Sequence, residues 1–427
     1  MPSEPLDHRC VLTINGGSSS LKFALFRAGE PLSRVLAGKF ERIGLPDGEL
    51  TVDDAVSGAR ERRVLKLPNH AACIPVLAEL LQAHEDTAVV HVIGHRVVHG
   101  GSRYCSPERV TEPLLVQLRQ LSPFAPEHMP TQIALMEELG RQYPDLPQVA
   151  CFDTAFHRDL PRVAKLLPIP RRYDAAGVQR YGFHGLSYTY LMQELERIAG
   201  PAAARGRVIL AHLGNGASMA AVRGGRSIDT TMGFTPAAGL VMSTRSGDLD
   251  PGVVAYLART EGMTAEQFYH MVHAESGLLG VSETTSDMRD LLEREPDDVR
   301  AAEAVALFCH QAKKWIGALA AVLGGLDTLV FAGGIGERSA PIRARICEGL
   351  EFLGIVLDRS RNEASAPVIT RDGSRVTIRV IPTDEELLIA QTVIAFGAGE
   401  TNRDLGKSAC TQGRPMPPRG GPMPKGI

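Results

Sequence analysis

The stretch CVLTINGGSSSLKFALF, residues 10–26, decides the architecture. Cys10 to Asn15 is a short apolar run ended by a turn signal, which predicts a buried strand. Gly16 to Ser20 is a polar, glycine-containing bend, and Leu21 to Phe26 alternates well enough to be the returning strand. The same plan recurs further along. Arg207 to Ala211 reads as a strand, His212-Leu213-Gly214-Asn215-Gly216 as the bend, and Ser218 to Val222 as strand-like again. The repeat is architectural, at low sequence identity, and it predicts two α/β lobes built on one plan. Length agrees, because 427 residues exceed what one ordinary core organises.

Between and beyond these hairpins the pattern predicts further elements. Thr87 to Ile93 is a buried strand ending at the polar cluster Gly94 to Gly101. Thr131 to Tyr143 is a helix, since Ile133, Met136 and Leu139 share a face. Gln148 to Phe152 is a brief strand that delivers Asp153 to its end, and the first lobe boundary is set here. Tyr188 to Ile198 is a helix stopped by Gly200-Pro201. Ala301 to Leu323 is a long helix, and Thr328 to Phe331 is a strand running into Gly333-Gly334-Ile335-Gly336. Val376 to Ile381 is a strand and Glu385 to Phe396 a helix. Residues 402–427, rich in Pro and Gly without periodicity, are expected to be a disordered tail.

Composition narrows the function classes. A formal charge of -3 leaves no large basic surface, which argues against nucleic acid as a partner. The seven cysteines are scattered and never arranged as CxxC, so they read as reduced thiols of a cytoplasmic protein. The opening residues MPSEPLDHRC hold no apolar run of signal-peptide length, and Trp315 to Phe331 is interrupted by Gly317, Gly324, Gly325 and Asp327, so no membrane segment is expected. No His and Cys grouping has zinc-ligand spacing. The 43 glycines suit a chain whose backbone approaches ligands closely.

Three glycine-containing segments follow buried strands, at Asn15 to Ser20, His212 to Gly216 and Gly333 to Gly336, and Gly224-Gly225 closes a fourth strand. Glycine lets backbone N–H groups crowd around anionic oxygens, although each segment alone is equally an ordinary tight turn. With Arg96, Asp153 and Arg245 nearby in the pattern, they point to a phosphate site. None fits GxxxxGK[ST], which excludes the usual P-loop, and no GxGxxG follows the first strand, which argues against a dinucleotide fold.

Ordered motifs carry a sharper signal. They are VLTINGGSSSLKF from Val11, GHRVVHGG from Gly94, CFDTAFH from Cys151, RYGFHGLS from Arg180, HLGNGAS from His212, DTTMGFTP from Asp229, TRSGDLDPG from Thr244, SGLLGVSETTSDMRDL from Ser276, FAGGIGE from Phe331 and IPTDEELLIA from Ile381. On these residues the chain resembles the acetate kinase family of short-chain carboxylate kinases, part of the superfamily of actin-like ATPases, sugar kinases and heat-shock chaperone ATPases. The resemblance implies two similar α/β lobes with a ligand cleft between them. The acceptor-side lobe would be residues 1–152, completed by 386–400, and the nucleotide-binding and dimerisation lobe residues 153–385. It further implies a homodimer, the cofactors ATP/ADP and Mg2+, and reversible formation of an acyl phosphate from a small carboxylate. A kinase of another small metabolite on the same scaffold, and a noncatalytic ATP-binding regulatory protein, are the rival readings.

Residue roles follow from the same resemblance. Arg96 and Arg245 would hold the carboxylate and the phosphoryl oxygens through their rigid forks of donors, which is the charge compensation phosphoryl transfer needs. His184 would donate to the transferring group, and His212, Asn215, Gly216, Gly333, Gly334, Ile335 and Gly336 would contact nucleotide and phosphate. Glu385 with Asn15 would place magnesium, Asp153 would orient metal waters or the acceptor, and Ser18 and Ser20 would support the site. Val98, Phe124, Phe183 and Pro236 would form the small apolar part of the acceptor pocket. His95, His99, His128 and His157 read as structural.

Four positions depart from the family pattern. Pro-Leu-His-Asn-Pro would be expected in register with Pro123 to Glu127, so Ala125 lacks the histidine and Glu127 replaces a proline. His128 restores the imidazole only if the backbone slips by three residues. Leu186 and Tyr188 stand where the family commonly has threonine and histidine. Two expectations stay open: an acceptor that is larger or more polar than acetate, and a Glu127 that simply faces solvent.

Overall fold

The computed structural model describes residues 10–17, 19–83 and 90–397. The first sheet contains β1 (Cys10–Gly16), β2 (Leu21–Arg27), β3 (Ser33–Glu41), β4 (Gly48–Asp54), β5 (Arg60–Leu65), β6 (Val90–Val97), β7 (Glu108–Arg109) and β8 (Gln148–Phe152), in the order β5-β4-β3-β2-β1-β6-β8-β7. The second contains β9 (Arg207–Leu213), β10 (Ala217–Arg223), β11 (Arg226–Thr230), β12 (Thr328–Ala332) and β13 (Thr377–Val380), ordered β11-β10-β9-β12-β13.

The two sheets share a plan. In each, three antiparallel strands lead into two parallel ones: β3-β2-β1 then β6 and β8, and β11-β10-β9 then β12 and β13. The repeat read from the two hairpins therefore extends to whole sheets, and the fold is the two-lobed α/β architecture of the actin-like ATPase and sugar kinase superfamily.

Six helices matter for the site: α1 (Met129–Gln142), α2 (Gly185–Arg205), α3 (Gly252–Thr260), α4 (Val299–Leu323), α5 (Gly333–Arg338) and α6 (Glu385–Gly397). Helix α4 buries Ala301, Val305, Phe308, Ile316 and Leu319 along one stripe, the spacing expected of a helix lying on a sheet. Helix α6 packs on the first sheet rather than the second. A Cβ on Gly94 of β6 would stand 2.5 Å from Ile389 Cγ2 and 2.8 Å from Val393 Cγ2, so glycine there is what permits the helix to lie close.

Several boundaries differ from expectation. Strand β6 runs on through Val97, so Gly94, His95 and Arg96 belong to the strand and do not follow it; pairing with both β1 and β8 holds the polar residues in the ladder. Helix α2 begins at Gly185 and continues past Gly200, whose φ of 81° makes a kink from which Pro201 starts further helical turns to Arg205. Gly333 opens a helix directly. Gly224 and Gly225, with φ of 61° and 76°, make the β10–β11 hairpin turn. That turn lies at the opposite end of β10 from Gly216, which removes it from the candidate phosphate segments. The expected tail, 402–427, lies outside the described residues, as do 398–400. Among the described residues no helix is long and apolar enough to cross a membrane.

Candidate active site

Parallel strands end on a common edge, and backbone groups there face a crevice. In the first sheet β1, β6 and β8 bring Asn15, Arg96 and Asp153 to one such edge. Asp153 follows β8 directly and is fully buried. Its Oδ2 accepts from Arg96 Nε at 2.9 Å and Nη2 at 2.5 Å. Among the described residues its buried Oδ1 has no hydrogen-bond partner of full geometry, although the Leu186 N–H pulls on the carboxyl. Arg96 Nη1 also donates to Asn15 Oδ1 at 3.1 Å, while Asn15 Nδ2 donates to Glu385 Oε2 at 3.0 Å and Glu386 Oε1 at 3.2 Å. Helix α6 thus delivers Glu385 to the strand edge, 3.8 Å from Arg96 Nε.

The electrostatics of this cluster are mutually compensating. Burial pushes the Asp153 carboxyl above its ordinary value, against the pull of Arg96. For Arg96, burial works against the charge, yet Asp153 and Glu385 hold the guanidinium protonated. Glu385 is also penalised by burial, but Arg96, His212 and Lys22 keep its carboxyl below the usual range.

The second sheet presents a different chemistry. Register pairs Ala332 of β12 with His212 of β9, so the bends after both strands meet. Gly333 takes φ of 75° and a Cβ there would lie 2.7 Å from Leu213 O, while one on Gly214 would lie 3.8 Å from Gly334 N. His184, at φ of 57°, caps the start of α2, and its ring stacks on that of His212 with centroids 4.3 Å apart. A Cβ on Gly216 would stand 3.2 Å from His184 Nε2 and 3.5 Å from Arg245 Nη1, which puts these three residues around one small space.

Arg245 is the least compensated charge in that space. Its Nη1 donates to Pro236 O at 3.1 Å and contacts Met242 Sδ at 3.5 Å. Among the described residues no carboxylate forms an ion pair with it, and burial followed by the neighbouring Arg96 lowers its pKa to about 10. Burial, reinforced by His212, Arg96 and Arg245, holds the His184 imidazole well below its ordinary value, and burial brings His212 down to about 4. Both rings are neutral at pH 7.

Val98 and Phe183 are buried, and Phe124 is half-buried, edge-on to His99 at 5.4 Å. His99 lies 5.6 Å from Phe183 and 4.5 Å from Tyr181, and Phe124 is 4.9 Å from Phe234. Tyr181 and Phe234 thus join the apolar wall; the motifs RYGFHGLS and DTTMGFTP contained them without marking them. Pro236 enters through its carbonyl to Arg245. Gln132 of α1 was also missed. It accepts from Val98 N at 2.9 Å and donates to Gly16 O at 3.0 Å, tying the ends of β6 and β1 together.

On the nucleotide side Asn215 and Gly334 are exposed and Ile335 is half-buried. Gly336 is buried, where a Cβ would meet Phe331 C at 3.5 Å and Ala211 O at 3.6 Å, so its position is one of close packing beneath the bend. Glu337, the last residue of FAGGIGE, accepts from Gly333 N at 2.8 Å and Thr383 N at 3.1 Å and so braces the bend against the approach to Glu385. Ser20 closes the first bend, accepting from Gly17 N at 2.8 Å. Ser18 lies outside the described residues.

His95 bonds Gln148 Oε1 at 2.6 Å, and His157 bonds Ser227 Oγ at 2.9 Å and Phe183 O at 3.0 Å, both structural roles. Ala125 is buried in the core and Leu186 packs with Leu388, Ile389 and Val393 of α6. Glu127 is exposed on the rim of a cleft of about 930 Å3 shared with Thr264, Gln267 and Tyr269. His128 keeps Nδ1 buried without a partner. Burial, with the charges of Arg245 and Arg96, drives its pKa to about 3.

This arrangement, a carboxylate and guanidinium edge near a guanidinium without an ion-pair partner among the described residues and two buried imidazoles, has the charge-compensating groups a phosphotransferase uses, on a two-lobed kinase scaffold. The Acetokinase family profile matches residues 10–391. The acetate kinase of Methylocella silvestris is 46% identical over 401 residues, covering 91% of this chain and 98% of that protein. The propionate kinase of Citrobacter rodentium is 40% identical over 397 residues, covering 92% and 98%. The crystal structure of a propionate kinase from Francisella tularensis subsp. tularensis superposes with a TM-score of 0.84 at 34% identity, covering 90% of this chain and 98% of that one. The chain belongs to the acetokinase family, and it is an enzyme of the acetate and propionate kinase type.

Proposed function

We propose that the protein phosphorylates a short-chain carboxylate, with acetate the first candidate, forming an acyl phosphate and ADP from ATP in a reversible, direct in-line transfer. The observation that carries this reading is Arg245: a guanidinium with no ion-pair partner among the described residues, beside Arg96, His184 Nε2 and the open face of Gly216. Two cations in one space repel each other and call for an anion between them. A carboxylate held by one arginine and a phosphoryl group held by the other satisfy both, without a covalent enzyme intermediate.

Magnesium fits the residues present. Glu385 and Asn15 offer hard oxygens, Asp153 Oδ1 is a buried carboxylate oxygen with no hydrogen-bond donor of full geometry, and no three-residue metal-holding group occurs among the described residues. That donor set suits an ion that keeps several of its waters. Glu385 with Asn15 would hold the ion, and Asp153 would orient its waters. When bound, it supplies neutralisation of phosphate charge.

The same reading assigns residues 1–152 with 386–400 to the acceptor side and 153–385 to the nucleotide side, supported by the two sheets and by α6 lying on the first. It includes a cytoplasmic location, in keeping with the buried thiols of Cys73, Cys151, Cys309 and Cys347. It also includes a homodimer joined through the second lobe. Helix α3, sequence GVVAYLART, buries none of its residues, and Val254 and Tyr256 stand exposed, as a subunit contact requires. A second acceptor reading, propionate or a more polar acid, is favoured by Ala125 and by Glu127 on the rim of the cleft.

The test is formation of acyl phosphate from ATP and magnesium, trapped with hydroxylamine, across acetate, propionate, butyrate and several hydroxy and dicarboxylic acids. Acetate with the highest kcat/KM supports the first reading. Propionate, or a hydroxy or dicarboxylic acid, in first place selects the second, and no product with any acid defeats both.

A further inference from the structure

His184 and His212 are stacked, neutral and adjacent to the space around Gly216 and Arg245. A neutral imidazole offers a donor at only one nitrogen, so the value of each ring to an anionic oxygen depends on its tautomer. What sets the tautomer is the partner on the far nitrogen, and for both rings that partner is a serine hydroxyl, Ser218 of β10 for His184 and Ser187 of α2 for His212.

His184 Nδ1 lies 2.9 Å from Ser218 Oγ, and Ser218 Oγ is in turn hydrogen-bonded to the hydroxyl of Tyr188. His212 Nδ1 lies 2.8 Å from Ser187 Oγ, which is 2.7 Å from Thr383 Oγ1. Tyr188 is fully buried and Ser218 is its hydroxyl's partner, so the direction of the first chain can be worked out. A buried O–H without an acceptor is costly, which makes Tyr188 the donor to Ser218. Ser218, already accepting, places its own proton on His184 Nδ1. The remaining imidazole proton then sits on Nε2, the nitrogen 3.2 Å from where a Gly216 Cβ would be. In the opposite tautomer Ser218 would accept from both Nδ1 and Tyr188, its own buried proton would have no acceptor among the described residues, and a lone pair of Nε2 would face the anion.

We propose that Tyr188 is a positioning residue that acts through Ser218 to hold His184 as the Nε2–H tautomer, so that the ring donates to the transferring phosphoryl group. The Ser187 hydroxyl, backed by Thr383, stands in the corresponding place behind His212. Tyr188 is one of the positions at which this chain departs from the family pattern, and the departure supplies a phenol whose single proton dictates the direction of the relay. The role in transfer rests on the proposed function; the tautomer does not.

The experiment uses the full chain labelled with 15N-histidine, in which imidazole nitrogen shifts report which ring nitrogen carries the proton, together with steady-state kinetics. The variants are Tyr188→Phe, which keeps the ring and removes the proton source, and Ser218→Ala, which removes the middle of the relay should the first fold poorly. The wild type is expected to show His184 protonated at Nε2. In each variant the His184 signals shift toward a tautomer mixture while those of His212 stay put, and kcat falls about tenfold with KM for ATP and acid within about twofold. Outright loss of such a donor costs more, about 10²- to 10³-fold. An Nδ1-protonated His184 in the wild type, or variants with wild-type tautomer and kcat, overturns the proposal. Absence of acyl phosphate from the wild type would instead defeat the functional reading, and is seen separately because the tautomer measurement needs no turnover.

Discussion

The edge of the first sheet and the bend of the second are built from similar hairpins, yet they handle charge in opposite ways. At the first, Arg96 is enclosed by Asp153, Glu385 and Asn15, so the guanidinium has its complement in the protein. At the second, Arg245 among the described residues bonds only a backbone carbonyl and a thioether, with Tyr269 and Glu127 acting on it from farther away. The first edge anchors its arginine through buried contacts that contribute to folding, and its surplus of carboxylate is what the proposed magnesium would meet. The second, on the proposed function, is completed by an anion. Preorganised but unsatisfied donors are the usual form of electrostatic catalysis, so the difference separates an arginine already anchored by protein carboxylates from one that has no such anchor.

Removing Arg245 should break the comparison most visibly. Arg245→Ala is expected to lower kcat/KM for the acid by about 10³-fold, on the scale of losing a key transition-state donor, while the melting temperature stays unchanged or rises. A parallel loss of stability and activity, seen by calorimetry beside kinetics, would show that Arg245 is structural. Arg96 should behave the other way. Arg96→Met leaves the fully buried Asp153 carboxylate unpaired, and breaking a buried pair costs about 3–5 kcal/mol, read as a lowered urea midpoint. An Arg96→Met protein as stable as the wild type would erase the distinction between the two sides.

The smallest effect asks whether the difference is confined to the site. His95 in the first sheet and His157, bonded to Ser227 in the second, are both held by burial at about 4. Unfolded imidazole titrates near 6.5. Between those values the unfolded chain binds protons that the folded chain refuses, so stability is fully present above about pH 6.5 and is lost as pH falls toward 4. The slope should be about 1.4 kcal/mol per pH unit for each histidine. Urea midpoints measured from pH 7 to pH 5 check it. A flat series would mean that these rings become protonated in the folded protein.

Much of this was legible because it is local. The Cys10 to Phe26 hairpin and its echo at Arg207 to Val222 announced themselves through hydrophobic period and turn chemistry, and their likeness proved to run through both sheets. The motifs also held Arg96, Asp153, His184, His212, Arg245 and Glu385, which the structure brings close to one another. Misreadings occurred where neighbours in space overrode local signals. Gly94 to Arg96 looked like a polar break after a strand, but two flanking parallel strands keep it in the ladder. Gly224-Gly225 looked like a ligand bend and is a hairpin turn at the far end of its strand.

The sequence by itself determined the class of fold, the family and the residue types at the site, because periodicity, glycine placement and ordered motifs are properties of short segments. Only the tertiary structure decided which charges meet a partner within the protein and which do not. Asp153 and Arg96 are separated along the chain and meet through strand pairing, Glu385 reaches them on a helix from the other end of the chain, and Arg245 forms an ion pair with no acid among the described residues, Glu127 acting on it only at a distance. Likewise Tyr188 reads in sequence as an aromatic on a helix, and becomes a proton donor behind His184 only when β10 places Ser218 between them. Electrostatic and hydrogen-bond complementarity depend on distances of a few ångströms between segments far apart in the chain, and the folded arrangement alone sets those distances.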